Sequence, residues 1–322
     1  MDKNYITIIG AGAWGTAVAD LLARNGHWVC MYSQEKEVVQ AINQKHYNTK
    51  YLPDVQLLPS VWATTDPDRA SRADILFIAL PVPFLRQGLQ PFRGKVDSEK
   101  VCVILSKGIE AATGKLPLSM IGEELGHMKF AVVSGPNFAH ELSEPAFMAT
   151  TVASFRASVG KKVGFLLSNQ TFSVAFSGDM RGVALCGALK NVIALGIGML
   201  RGLHAQENTV AARFTQALDE MVTLVRGRGG ERTTVYSLAG VGDAVLSSLC
   251  NAGRNQKFGE LIGEGVLCEH ALQFFKSPPE GIATAQAAEL IRTQLDVELP
   301  FFQAVYAILY HNYPASILLD RL

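Results

Sequence analysis

The stretch IIGAGAWGTAVADLLARNGH, near the start of the 322-residue chain, carries Gly10, Gly12 and Gly15 in the spacing GxGxxG. A short β-rich run beginning at Tyr5 (YITII) precedes it, and a helical run opens inside it. Few folds accommodate that combination. Gly10 permits a tight strand-to-helix turn, Gly12 lets a pyrophosphate approach the backbone, and Gly15 lets the helix pack on a sheet. The helix N-terminus then offers unpaired N–H groups to phosphates. The pattern predicts a dinucleotide site.

The rest of the first half follows suit. Predicted strands at 5–10, 27–32, 74–80, 100–106, 129–135, 146–154 and 172–177 alternate with helical runs such as 14–25 and EKEVVQAINQ. Several are continuous apolar runs, as strands covered on both faces require. The expectation is an α/β, Rossmann-type doubly wound sheet over residues 1–180. Beyond Asp179 the strand pattern stops. Helical runs at 182–200, 207–225, 241–251, 257–265, 283–294 and 301–310 predict an all-α domain over 181–322.

Lys+Arg and Asp+Glu both number 29, so the formal net charge is zero. That balance lacks the broad field expected of a nucleic-acid or anionic-membrane binder and points to a small-molecule partner. The five cysteines are scattered with no CxxC pair, which predicts reduced thiols, a cytoplasmic location and no metal site. YITII reads as a strand, not a secretion signal. The apolar run ALCGALKNVIALGIGML nearly reaches membrane-spanning length, but its central Lys190 and Asn191 cost roughly 3 kcal/mol on insertion scales, so no membrane insertion is expected. Oligomeric state is left open, a homodimer included.

Lys190 is then a lysine on an apolar helix, poorly solvated and with a lowered pKa, better suited to donate a proton near neutrality. On that helix alone an ion-paired structural lysine is an equal reading. A second polar insertion, Asp243 in LAGVGDAVLSS, supplies a partner for Lys190. Lys107 in ILSKGIE follows the C-terminal end of a strand, the edge where open α/β sheets bind ligands. VVSGPNFAHEL leaves another strand at Gly135, with Pro136 suited to a first helical turn and Asn137 able to face a ligand. NAGRNQKFG carries Arg254, whose planar fork suits phosphate, and Asn255, a neutral donor. Singly, each of these is also an ordinary turn.

The motifs GAGAWGTA, YLPDV, SKGIE, SGPNFA, ALKNVIALGIGM, GVGD and GRNQKFG occur in order over almost the whole chain. As a set they resemble bacterial NAD(P)-dependent glycerol-3-phosphate dehydrogenases. The resemblance implies reversible NAD(P)H-dependent reduction of dihydroxyacetone phosphate to sn-glycerol 3-phosphate, the backbone of glycerophospholipids. It implies that Lys190 is the catalytic acid/base, assisted by Asp243. It places Lys107, Gly135, Asn137, Lys190, Asp243, Gly253, Arg254 and Asn255 at substrate positions. It places Ala13, Trp14, Gln34, Lys107, Ala139, Arg254, Pro278 and Glu280 at cofactor positions, beside Gly10, Gly12 and Gly15. No metal is implied.

The chain departs from that family's pattern in places. Asn137 stands where Thr or Ser is usual, Gly253 where Ser is usual, and Gln34 where His or Arg is frequent; SPPEGIATAQ keeps little beyond Glu280 and Gly281. Tyr32, Ser33 and Gln34 form an uncharged tip on the second strand, with Lys36 and Glu35 close by. An uncharged tip does not repel a 2′-phosphate, so the sequence leans to NADPH, with NADH retained. Two rivals are a related reductase acting on a 3-hydroxyacid or ketopantoate, and a nucleotide sensor without catalysis. The Arg254–Asn255 pair argues against the first, the joint presence of Lys190 and Asp243 against the second.

Overall fold

A computed structural model describes residues 3–144, 146–250 and 253–320. The chain forms two compact units. One comprises Met1–Ser106 and Pro117–Met180, the other Lys107–Leu116 and Arg181–Leu322.

Among the described residues the first unit has ten strands: β1 (Tyr5–Ile9), β2 (Trp28–Tyr32), β3 (Tyr47–Asn48), β4 (Leu52–Gln56), β5 (Val61–Thr64), β6 (Ile75–Ile78), β7 (Val101–Ile104), β8 (Lys129–Ser134), β9 (Met148–Ala153) and β10 (Phe172–Ser177). Eight form one sheet in the order β10-β9-β8-β7-β6-β1-β2-β5, while β3 and β4 make a separate hairpin. All neighbours in the large sheet are parallel except β8 and β9. β6 (ILFI) and β7 (VCVI) are buried at every position, the reason they carry no apolar/polar alternation. Strand order reverses at β1. Open α/β sheets bind ligands beyond the carboxyl ends of the strands at such a switch point. Two short elements escape the sequence pattern: β5, at the edge of the large sheet, and the separate hairpin that precedes it.

The second unit is helical, with elements at Met180–Gly202, Glu207–Gly227, Arg232–Val235, Asp243–Leu249, Arg254–Gly263, Cys268–Leu272, Glu280–Leu295 and Pro300–His311. The segment 107–116, contiguous in sequence with a β-strand, groups here because Ile109 is buried in this unit's core and Arg228 donates to the Gly114 carbonyl. Met180–Gly202 is long and apolar enough to cross a bilayer, with a mean hydropathy of 1.9, but that window is entirely buried inside the protein. Its glycines explain how. A Cβ at Gly198 would collide with the Gln256 carbonyl and one at Gly202 with the Glu260 carbonyl, while Gly259 and Gly263 meet the Leu195 and Met199 carbonyls in the same way. The long helix and Arg254–Gly263 therefore run backbone against backbone. Each helix accepts roughly 1 kcal/mol per glycine for that approach. The same register sets Asn255 against Asn191.

Candidate active site

In the first unit, the glycine loop has the conformation its spacing predicts. Gly10 sits at φ +111°, where a side chain is strained, and a Cβ there would lie 2.7 Å from the Ala79 carbonyl. A Cβ on Gly15 would overlap the Gly10 carbonyl, so the helix Ala13–Arg24 (α1) could not approach the loop with any other residue. At Gly12, by contrast, a Cβ would meet nothing within 4 Å: this is the open side of the loop. The Thr16 N–H bonds to the Gly12 carbonyl at 2.9 Å, which leaves the preceding N–H groups of the first turn directed out of the helix end. The buried Trp14 indole Nε1 has no hydrogen-bond partner in the protein. A tight turn, an open approach at Gly12 and free helix-end donors fit a dinucleotide pyrophosphate.

Gln34 is exposed beyond β2. Gly135 is buried where β8 ends, with Thr150 Cα 2.9 Å from where its Cβ would be. The chain beyond it differs from expectation. Pro136 opens no helix; residues 135–140 are irregular, and only a 3₁₀ turn at Glu141–Ser143 follows. The Asn137 amide explains this, because its Nδ2 donates to the Pro136 and Ala149 carbonyls at 2.9 and 3.0 Å and ties the segment to β9. Ala139 is half-buried against the sheet's core.

In the second unit, Lys190 points from the long helix to Asp243, which begins the helix Asp243–Leu249 directly after a π-helical turn at Leu238–Gly242. Such irregular turns recur at functional sites. Asp243 is fully buried and Lys190 is 9% exposed. Lys190 Nζ donates to Asp243 Oδ1 and, at 2.8 Å, to Ser247 Oγ. Lys107 Nζ donates to the other carboxylate oxygen at 2.6 Å. One carboxylate thus holds two ammonium groups. Burial pulls the Lys190 pKa down to about 8; Asp243 opposes that shift and the Lys107 charge adds to it. Burial also raises Glu280, against the pull of Arg254, Lys190 and Lys107.

The sequence placed the next helix at 257–265; it begins at Arg254, with Gly253 as its N-cap and no side-chain cap bond. Arg254 and Asn255 are therefore a helix's first turn and not a surface turn. Arg254 is exposed and donates to Ser277 Oγ at 3.0 Å. Asn255 donates to Asn191 Oδ1 at 3.0 Å and accepts from the Gly281 N–H at 2.9 Å. That second bond fixes the start of Glu280–Leu295, where Glu280 is half-buried; Pro278 is exposed just before it. Gly281 has no room for a side chain, since a Cβ would lie 2.6 Å from the Asn191 carbonyl.

Lys107, Lys190 and Asp243 are thus joined directly, and Asn255 is joined to Asn191 and Gly281. Ser247 and Asn191 are the participants that motif reading missed. Ser247 lies four residues after Asp243, one helical turn on and on the same face, a signal available in sequence. Asn191 Nδ2 is buried with no partner, a donor left over beside Lys190. Among the described residues no His, Cys, Asp or Glu side chains cluster in threes as a metal site requires.

Residues 5–159 match the family described as NAD-dependent glycerol-3-phosphate dehydrogenase N-terminus, and residues 179–320 match its C-terminus counterpart. A glycerol-3-phosphate dehydrogenase [NAD(P)+] from Azotobacter vinelandii is 36% identical over 311 residues, covering 96% of this chain and 91% of its own. One from Bifidobacterium longum is 36% identical over 327 residues, covering 100% and 98%. The crystal structure of a glycerol-3-phosphate dehydrogenase from Coxiella burnetii superposes with a TM-score of 0.94 at 31% identity, over 99% of both chains. The chain belongs to the NAD-dependent glycerol-3-phosphate dehydrogenase family of oxidoreductases.

Proposed function

We propose that this protein reversibly reduces dihydroxyacetone phosphate to sn-glycerol 3-phosphate and so supplies the glycerophospholipid backbone. The observation that carries this reading is the buried Lys190–Asp243–Lys107 cluster, in a chain of this family. The nicotinamide cofactor, when bound, supplies or receives the hydride at C2. Everything else falls to the chain's own residues. As the carbonyl oxygen gains negative charge, Lys190 donates a hydrogen bond and then its proton; in the reverse direction neutral Lys190 takes the proton back. Asp243 and Ser247 hold the Lys190 amine in one orientation, so little reorganisation accompanies the transfer. Lys107, sharing Asp243, adds positive charge for the growing oxyanion.

Arg254 and the N-terminus of its helix supply positive potential for the substrate phosphate, with Asn255, Gly253, Gly135 and Asn137 as further substrate positions. The Asn255 oxygen is engaged by Gly281, so its contribution to an anion comes through its amide hydrogens. The glycine loop, Ala13, Trp14, Gln34, Lys107, Ala139, Arg254, Pro278 and Glu280 form the cofactor set. Gln34 at the neutral strand tip supports NADPH; Glu35, the next residue, supports NADH. Five free cysteines fit a reducing, cytoplasmic setting.

The test is initial-rate oxidation of NADH and NADPH by the purified protein with dihydroxyacetone phosphate, and separately with dihydroxyacetone. Turnover that requires the phosphorylated ketone supports the proposal. Cofactor binding without turnover on dihydroxyacetone phosphate refutes it.

A further inference from the structure

The eight-stranded sheet has two edge strands, β5 and β10, and they are finished differently. Along β5 the backbone is already answered. Asn43, from the helix Lys36–Lys45, donates to the Ala63 carbonyl at 2.9 Å and accepts from the Ala63 N–H at 2.7 Å. One amide side chain thus occupies the middle of a short edge.

β10 is longer, with the sequence FSVAFS. Thr171, just before it, and Ser177, at its end, turn their carbonyls to β9 and accept from the Met148 and Ser154 N–H groups. Backbone groups alternate sides along a strand, so Ser173 and Ala175 also face β9. Phe172, Val174 and Phe176 then present their N–H and C=O groups outward. Phe172 is closed off, because it donates to Asn169 Oδ1 at 2.9 Å and accepts from the Asn169 N–H at 3.1 Å. Among the described residues, Val174 and Phe176 have no such outward partner.

Side chains do not guard this edge either. Residues 163–178 contain no charged residue, in a chain of which 18% is charged. Ser173 and Ala175 are exposed. Phe176 is 59% exposed, and its ring lies over Gly164 of the helix Ala157–Leu167. Phe165, the next residue of that helix, is exposed as well. Natural sheets protect long edges with charge, proline or a covering element. Among the described residues, β10 has none of the three.

We propose that β10 is an interface with a second copy of this chain, the two β10 strands pairing antiparallel about a two-fold axis at Ala175. In that register Val174 of each strand lies opposite Phe176 of the other, and both pairs exchange N–H···O bonds in each direction. Ala175 meets its own copy at the axis, where such a pair approaches to about 4.5 Å between Cα atoms and a methyl group fits. An isologous contact sets any charge near its own image, so self-pairing requires an uncharged strand. Pairing with the opposite edge would need β5, where Asn43 already holds Ala63. Like therefore pairs with like, which closes a dimer instead of building a filament.

Sedimentation velocity of the full-length protein is expected to show a dimer that dissociates on dilution. Ala175→Lys sets two ammonium groups face to face at the axis and is expected to weaken that dimer about ten-fold or more. Ala175→Cys, oxidised with copper–phenanthroline, is expected to form a covalent dimer, because each thiol faces its own copy within disulfide reach. Ser173→Cys tests the register. It lies opposite Ser177 of the other strand, about 14 Å from its own copy, and is expected to stay unlinked. Wild type, with its own five cysteines, is the blank. A monomer at every concentration, a dimer unaffected by Ala175→Lys, or cross-linking no faster in Ala175→Cys than in Ser173→Cys each overturns the assignment.

Discussion

Two carboxylates in this molecule each hold a lysine, in opposite surroundings. Asp243 is fully buried and bridges Lys190 and Lys107. Glu35 is one-third exposed and binds Lys50 and Tyr51 on a surface hairpin. At Asp243 burial makes the charged state of Lys190 costly and draws its pKa down to about 8. At Glu35 solvent screens the pair, and Lys50 and Tyr51 keep the carboxylate ionised. Burial suits the first pair to the acid–base role proposed for Lys190; exposure leaves the second a screened surface contact.

The largest expected effect breaks the buried member. Lys190→Ala removes the proton donor and is expected to lower turnover about 10²- to 10⁴-fold, the usual worth of general acid catalysis, with nucleotide affinity unchanged by titration. Near-normal turnover in that variant would remove Lys190 from its role. Asp243→Asn should cost stability as well as rate, because two ammonium groups lose their shared counter-charge. Urea unfolding is expected to show a loss of about 3 kcal/mol or more. A loss under about 1 kcal/mol, no more than an exposed pair is worth, would mean the cluster is better solvated than its burial implies.

A smaller effect tests the scaffold beneath the cluster. Gly259→Ala drives a methyl group into the Leu195 carbonyl, and backbone cannot yield cheaply. A destabilisation of about 1–3 kcal/mol is expected, together with a raised KM for dihydroxyacetone phosphate as the Arg254–Gly263 helix shifts. An unchanged KM would separate helix packing from substrate placement.

Much of the first unit was legible in sequence because continuous apolar runs and GxGxxG are local signals. β5 was not: VWAT is four residues long, leaves Trp62 half-exposed and is defined by its pairing with β2. The start of the helix at Arg254 was hidden for a related reason, since its first turn is polar and only close packing on the long helix makes it helical. Burial cost alone pointed Lys190 to Asp243. The attachment of Lys107 to the same carboxylate, across 136 residues, had no local signature. Glu35 was in view, but not its partners Lys50 and Tyr51, which the hairpin delivers from fifteen residues away and more.

The most direct test of the account is the pH dependence of kcat/KM for dihydroxyacetone phosphate reduction and, separately, for glycerol 3-phosphate oxidation, each at saturating cofactor. Reduction needs Lys190 protonated and oxidation needs it neutral. With its pKa drawn down to about 8 by burial, reduction should fall and oxidation should rise as pH passes through that value. Two flat profiles between pH 7 and about 9.5, well below the pKa of about 10.4 of a solvated lysine, would contradict the claim that burial beside Asp243 makes Lys190 the proton donor.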